Sequence, residues 1–392
     1  MLNLSRTSQV MTALVALCAA AAGANSPQSG THRLTAPATS LVINGTHVYG
    51  VTQFGDLFTL NRGRPRILQK GFTVSPLTTC HSGVAGVSAA GELRMWVSGR
   101  LVTTQRAGLS PLSRPVCVPE GAVAVSKTGD LIRYRQEGAA WREHRRTRAN
   151  VMRDARLTLV DLKGSGEPHV AALTGPSSTR YQHGVLGDAE EATGVAVFHH
   201  QSLKQLSRLD LRAPMVFEDL EARPVELPDG RMGLVLVHAT PGAGAALAPI
   251  EQVRERLRIR SVGPAFGQTH RWLAPIIAEN EIWAVHTPHI GGVLHRYQEK
   301  GNSLTPTKQW SGVSNHVIGS RTLTGVRLAP GLLLVPSQDQ TRLVVLRCVA
   351  ACSVLHEWAL EAAVSSNVVY TRTHVVVGDA SGRMYVLARE AW

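Results

Sequence analysis

Apolar and polar residues alternate with a period of two through most of this chain, and in four places the alternation takes one form. VYGVTQFGDLFTL (48–60), VAGVSAAGELRMW (84–96), VAVSKTGDLIRYR (123–135) and VVVGDASGRMYVL (375–387) share it. Each has an alternating run, a polar turn with a glycine (Gly55, Gly91, Gly129, Gly382), a charged residue and a second alternating run. Alternation on both sides of a glycine turn predicts two tightly joined antiparallel strands, each with one buried face. A strand-bearing unit that recurs at nearly constant spacing predicts the blades of a propeller rather than a single sandwich.

Read outward from each hairpin, the pattern gives sets of four strands running from an axis to a rim. SLVIN, HVYGVT, DLFTL and RPRIL (40–68) make unit one, and units two and three follow at 78–104 and 116–144. Unit four (157–211) carries the longest insertion, residues 174–193. Units five (215–260, with MVFEDL innermost), six (272–310) and seven (323–360) follow, and unit eight (368–390) ends after three strands. The segment HRLTA (32–36) is placed to supply the missing rim strand, which would remove a free sheet edge. The expected fold is therefore all-β: a single β-propeller over 25–392, with eight four-stranded blades closed by an N-terminal strand. Seven blades is the alternative, because units four to seven depart from the repeat.

The hairpin resembles the quinoprotein-type (PQQ-like) propeller repeat, an alternating strand and small-Gly turn followed by Leu-Tyr-Ala-Leu. VVVGDASGRMYVL matches it best and VYGVTQFGDLFTL next. The resemblance implies a blade, not an activity. Quinone-dependent dehydrogenases of that type are longer and carry adjacent cysteines and regularly spaced tryptophans. Here no Cys-Cys occurs and the seven tryptophans follow no blade period, so no cofactor is expected. LVDLKGSGEPHVAAL and FEDLEARPVELPDGRMGLVLV are similar to integrin-type (FG-GAP) repeats, whose loops bind calcium through Asp-x-Asp-x-Asp-Gly. Asp161 keeps the first ligand position, but Lys163 and Ser165 take the next two, and a lysine ammonium repels the ion. These are calcium loops in shape only.

The first residues place one arginine before an apolar stretch and end in Ala22-Gly23-Ala24, which reads as a signal peptide (1–24) cut before Asn25. Leu17 before Cys18 argues against lipid attachment, where a small residue is wanted. No later stretch reaches the ~20 apolar residues of a membrane span. Four cysteines remain after the cut, an even number that favours two disulfides in an exported chain. Cys348 and Cys352 flank one hairpin turn, while Cys80 and Cys117 occupy equivalent strands of neighbouring units.

The formal charge is +13, and only six of the 41 basic residues are lysine. Arg254, Arg256, Arg258 and Arg260 alternate with Val253, Glu255, Leu257 and Ile259, which predicts a guanidinium ladder on one face of a rim strand. Arg142, Arg145 and Arg146 fall on the rim of unit three. Such charges either guard exposed strand edges or receive an anionic partner, for which arginine suits bidentate contact. No aromatic residues interleave with them, so no nucleic acid is expected.

In AVHTPHIGGVLHRY a turn near Ile290-Gly291 would set His286 opposite His295, with His289 in the loop, a candidate set of metal ligands. A plain polar hairpin is the competing reading. His199 and His200, as neighbours on one strand, point to opposite faces and form no site. Asp161, Glu218, Asp219, Glu279 and Glu281 lie at strand ends, where paired carboxylates could serve as acid and base. Their spacing does not bring them together, and no catalytic residue is assigned.

These features point to an exported (periplasmic or secreted) non-catalytic scaffold, a monomeric ring. It would bind an envelope or extracellular protein, or an anionic polymer, through its loop faces and basic rim. The alternative is a lyase or hydrolase acting on an acidic polysaccharide at the channel mouth. Geometry separates the two. Either the carboxylates and histidines meet in one pocket, or the rim arginines form a continuous patch.

Overall fold

The computed structural model describes residues 30–389 apart from 105, 107, 138 and 139; the signal peptide expected at 1–24 lies outside them. Among the described residues there are strands, turns and one 3-10 turn, with no α-helix and hence no helix able to cross a membrane. Six sheets have four antiparallel strands each, and a seventh has nine. Within each four-stranded sheet of units one, two, three, six and seven the strands pair in chain order, as in Val116–Val118, Gly121–Val125, Asp130–Glu137 and Ala140–Arg148.

The four repeated glycines explain why this hairpin recurs. Their φ angles are +82° (Gly55), +84° (Gly91), +81° (Gly129) and +84° (Gly382), a conformation that side chains resist. In the first three, a Cβ would also lie 2.6 to 2.7 Å from a carbonyl oxygen of the connector that follows the rim strand: Thr73, Leu109 or Val151. That connector donates an amide to the glycine carbonyl: Thr73 to Gly55, Leu109 to Gly91 and Val151 to Gly129. Leu34 donates to Gly382 in the same manner at 2.8 Å. The strand before Leu34, Gly30–Arg33, pairs antiparallel with Arg383–Ala388 and so stands where a rim strand stands in other units.

That strand starts earlier than the HRLTA segment predicted for it. Only His32 and Arg33 of that segment are in the strand, because Leu34 turns inward to pack with Ala38, Phe58 and Met384. First and last units also meet directly: Asn367 accepts from the Leu41 amide at 2.8 Å and donates to its carbonyl at 2.9 Å. Innermost strands touch their neighbours along the chain, Ala38–Asn44 against Thr78–Cys80 and that strand against Val116–Val118. The hydrophobic core is accordingly layered between adjacent sheets; Val87, Leu93 and Met95 of unit two pack with Ala124, Ile132 and Tyr134 of unit three.

Units four and five depart from the pattern. The innermost strand of unit five is Arg223–Glu226, not the predicted MVFEDL. From that segment Val216–Phe217 instead pairs with Ala192 on one side and with His238 and Ala239 on the other. The two units thereby fuse into the nine-stranded sheet. Both predicted disulfides are present, Cys80–Cys117 and Cys348–Cys352.

Candidate functional site in the central channel

One cavity of about 460 Å3 is lined by innermost strands and the connectors that lead into them, through Leu41, Leu77, Arg114, Arg156, Arg223, Ile276, Val326 and Val368 in turn. Its charge is concentrated where units three, four and five meet. Parallel bridges there set Arg114 beside Arg156 and Arg156 beside Glu221. Arg114 pairs with Glu221 at 2.5 Å, and Arg223 grips Asp219 through two hydrogen bonds of 2.7 and 2.9 Å. Burial pushes the Glu221 carboxyl up, but Arg114, Arg223 and Arg156 outweigh it and hold the group below its ordinary value. Arg156 has no carboxylate within ion-pair distance among the described residues; its guanidinium donates to the Arg321 carbonyl. Burial first, and the Arg114 charge second, lower its pKa to about 10, so it stays cationic at neutral pH. Three guanidinium groups against two carboxylates leave this part of the channel with one surplus positive charge.

A strap runs from unit four to units six and seven. It is the insertion predicted in unit four, here residues 178–190 between strands His169–Ser177 and Glu191–Phe198, and it contains the 3-10 turn Gly184–Leu186. Tyr181, Val185 and Leu186 are buried against Trp272 and Leu273 of unit six. Further along, the strap reaches the connector into unit seven: Gly319 donates to the Val185 carbonyl at 2.8 Å and Arg321 to the Gly187 carbonyl at 2.9 Å. Gly187 has φ +76°, and a Cβ there would sit 2.3 Å from the Gly319 carbonyl oxygen, so only glycine fits this crossing.

Under the strap lies a buried group of acids and imidazoles. Glu218 is 0% exposed and Glu191 3%. The Glu218 carboxyl touches His183 Nδ1 with one oxygen, while its other oxygen has no hydrogen-bond partner. Trp272 Nε1 donates to the Glu218 carbonyl at 3.1 Å and the Trp272 ring stacks on His289, which meets His316 at 2.8 Å. Burial, then the neighbouring Glu218, raises the Glu191 carboxyl to about 11. Burial and Asp219 raise Glu218; burial and Asp154 raise Asp188 to about 8. Burial lowers His183 and brings His316 down to about 4. At neutral pH the nest is therefore held mostly uncharged, with protonated acids beside neutral imidazoles.

The residues singled out from sequence are distributed as follows. Arg254 is not in the rim ladder: it sits at φ +57° in the two-residue turn before the strand Arg256–Ile259. Arg256 and Arg258 share the exposed face. Arg258 pairs with Glu251 at 2.7 Å, and Arg260 with Glu251, Asp229 and Glu299 at 2.9 to 3.1 Å. Arg146 pairs with Glu143 and Asp130, and Arg142 with Glu137. Arg145, Arg254 and Arg256 are exposed with no such partner among the described residues. His286 faces Val293 across the ladder rather than His295, since the register is two residues off the predicted turn. The His286 and His295 rings still touch diagonally, with centroids 4.1 Å apart, while His289 joins His316 instead.

Asp161 lies apart from the channel residues. Its carboxylate accepts from the amides of Lys163, Ser165 and Gly166 in its own loop. Glu279 and Glu281 are tied to Arg327. The carboxylates thus do not gather in one pocket, although Glu218 does meet histidines. Sequence reasoning missed Arg114, Arg156, Glu191 and Glu221; the one available signal was charge within otherwise apolar innermost segments.

No family pattern and no curated sequence matches the chain. Solved structures do match its fold. BamB from Moraxella catarrhalis superposes with a TM-score of 0.59 and 10% identity, over 93% of this chain and 98% of that one. The Dos1 propeller gives 0.59 and 8%, over 92% and 95%. Quinohemoprotein alcohol dehydrogenase from Comamonas testosteroni gives 0.59 and 10%, over 93% and 77%. The chain is an all-β protein with the β-propeller fold. At such identities the likeness extends to the fold alone.

Proposed function

We propose that this chain is an exported propeller of eight four-stranded blades, sealed by its first strand, that acts as a monomeric, non-catalytic binding scaffold. Its partner would be an envelope or extracellular protein, or an anionic polymer, met by the loop faces and the exposed arginines of the rim. The eight inner segments around one channel and the Leu34–Gly382 contact support the blade count and the closure. Two disulfides suit an oxidising compartment. The match to a quinohemoprotein fold is in keeping with the resemblance of the hairpin to the quinoprotein-type repeat.

One observation carries the scaffold reading over the enzyme. The channel's own Glu221 is tied to Arg114, and the nest acids Glu218 and Glu191 are sealed under the strap at 0% and 3% exposure. A polysaccharide cannot reach them without removing a loop packed into the core. The enzyme reading retains one point in its favour, the His183–Glu218 contact.

Binding to lipopolysaccharide, measured by biolayer interferometry, separates these readings. Affinity should fall about tenfold between roughly 0.05 and 0.3 M NaCl. It should be lost in the combined Arg145→Gln, Arg254→Gln, Arg256→Gln variant, which spares every arginine tied to a carboxylate. Binding indifferent to both salt and substitution would exclude the basic rim as the contact. Cleavage of an acidic polysaccharide that disappears in Glu218→Gln would establish the enzyme instead.

A further inference from the structure

We propose that Glu167, His169 and His200 bind a divalent transition-metal ion, with zinc the ion their donors suit best. The site lies in unit four at the opposite end of strand His169–Ser177 from the strap, where the loop 161–168 meets the turn after Phe198. One ligand atom from each residue lies within 4.8 Å of the other two. His169 is 8% exposed and His200 3%, and the Nδ1 atom of each is buried without a hydrogen-bond partner. Buried polar atoms in native proteins nearly always have a partner, so two imidazole nitrogens with no protein partner beside one carboxylate point to a ligand-binding site.

The spacing fits an ion better than a hydrogen bond. His200 Nδ1 is 3.7 Å from Glu167 Oε1, too long for the latter. Two ligands on one tetrahedral zinc, each about 2.0–2.2 Å from it, stand roughly 3.3–3.6 Å apart. Glu167 is exposed, so its carboxylate is free to move toward the two imidazoles. Two imidazoles and a carboxylate leave a fourth position for water or for a partner's side chain, as in other three-ligand zinc sites. Asp161 is not a ligand, since its own loop saturates it.

His199 positions the site rather than joining it. Its Nδ1 accepts from the amides of Gln201 and Ser202 at 3.2 and 3.3 Å, which places its proton on Nε2. That nitrogen lies 3.3 Å from Glu167 Oε1, close enough to bias the carboxylate toward the two buried nitrogens. The sequence expectation that His199 and His200 point to opposite faces of a strand does not hold. The strand ends at Phe198, alternation lapses in the turn, and the two rings stack with centroids 5.1 Å apart.

The test is calorimetric titration of the chelator-treated full chain with ZnCl2, with Co2+ absorption as a second readout. One equivalent should bind. His169→Ala, His200→Ala and Glu167→Gln should each weaken it on the order of 100-fold or more, and His199→Ala about tenfold. Glu167→Gln alters an exposed side chain, so it remains informative if a buried histidine variant fails to fold. No zinc binding by the wild-type chain would overturn the proposal. So would binding that survives Glu167→Gln unchanged but is lost in His286→Ala, which would assign the ion to the other histidine hairpin.

Discussion

Units two and three differ from units four and five in how neighbouring sheets are held together. The first pair follows the repeat closely, each unit a separate four-stranded sheet, and is stapled by Cys80–Cys117 between innermost strands. Units four and five have no such bond. They share Val216–Phe217, which hydrogen-bonds to both, and their hairpin strands run eight to ten residues where those of unit two run five. The regular pair keeps its buried faces largely apolar, with Arg133 its one buried charge among the described residues. The irregular pair supplies the strap, the sealed acids and most of the channel charge. Chemistry has gathered where the repeat is broken, because a blade that only repeats has no surplus segment to carry it.

Removing the shared strand should have the largest effect. Phe217→Ala empties a fully buried aromatic site and should cost about 3–5 kcal/mol in urea unfolding. Hydrogen exchange should accelerate together at 191–198 and 232–240 if the fused sheet opens as one body; acceleration in only one unit would break the comparison. On the regular side, replacing Cys80 and Cys117 by serine should cost about 4 kcal/mol, against about 2 kcal/mol for Cys348 and Cys352. The first bond closes a separation of 37 residues and the second a separation of 4, and loop entropy grows with length. Equal losses would mean that the stapled blades are already fixed by packing.

The acids of the strap and the strand after it give a pH test. Asp188 and Glu191 have folded values raised to about 8 and about 11, so their protonated forms stabilise the fold fully below the ordinary carboxylate range. That contribution is lost as pH rises, between about 4 and 8 for Asp188 and on toward 11 for Glu191. His316, lowered to about 4, acts in the opposite sense: its contribution is present above its ordinary value and lost as pH falls through that range. Glu191→Gln should therefore stabilise the chain by about 1–3 kcal/mol at pH 9 relative to wild type, and hardly at all at pH 4. An unchanged pH profile by thermal melting would mean that water reaches the nest. Smallest of all, Arg256→Gln on the rim should shift stability by less than about 0.5 kcal/mol while still weakening any anionic ligand.

The fold was largely legible along the chain. The glycine hairpins, most strand positions, both disulfides and the insertion in unit four follow from alternation, turn chemistry and cysteine placement. Errors fell where tertiary contacts overrule a local pattern. Leu34 looked like strand but is drawn inward by Met384, and the apolar run at 215–220 looked like an inner strand but became a bridge. His199 and His200 looked divergent because alternation was carried past the strand's end.

The site was far less legible. Arg114 and Glu221 are 107 residues apart, and Glu218 is 35 from His183. The sequence by itself determined which residues form strands, since side-chain direction has a two-residue period that every short window displays. Only the tertiary structure decided which charges are buried together. That depends on how the propeller fold brings remote segments side by side, and on the desolvation that follows, which no local pattern encodes.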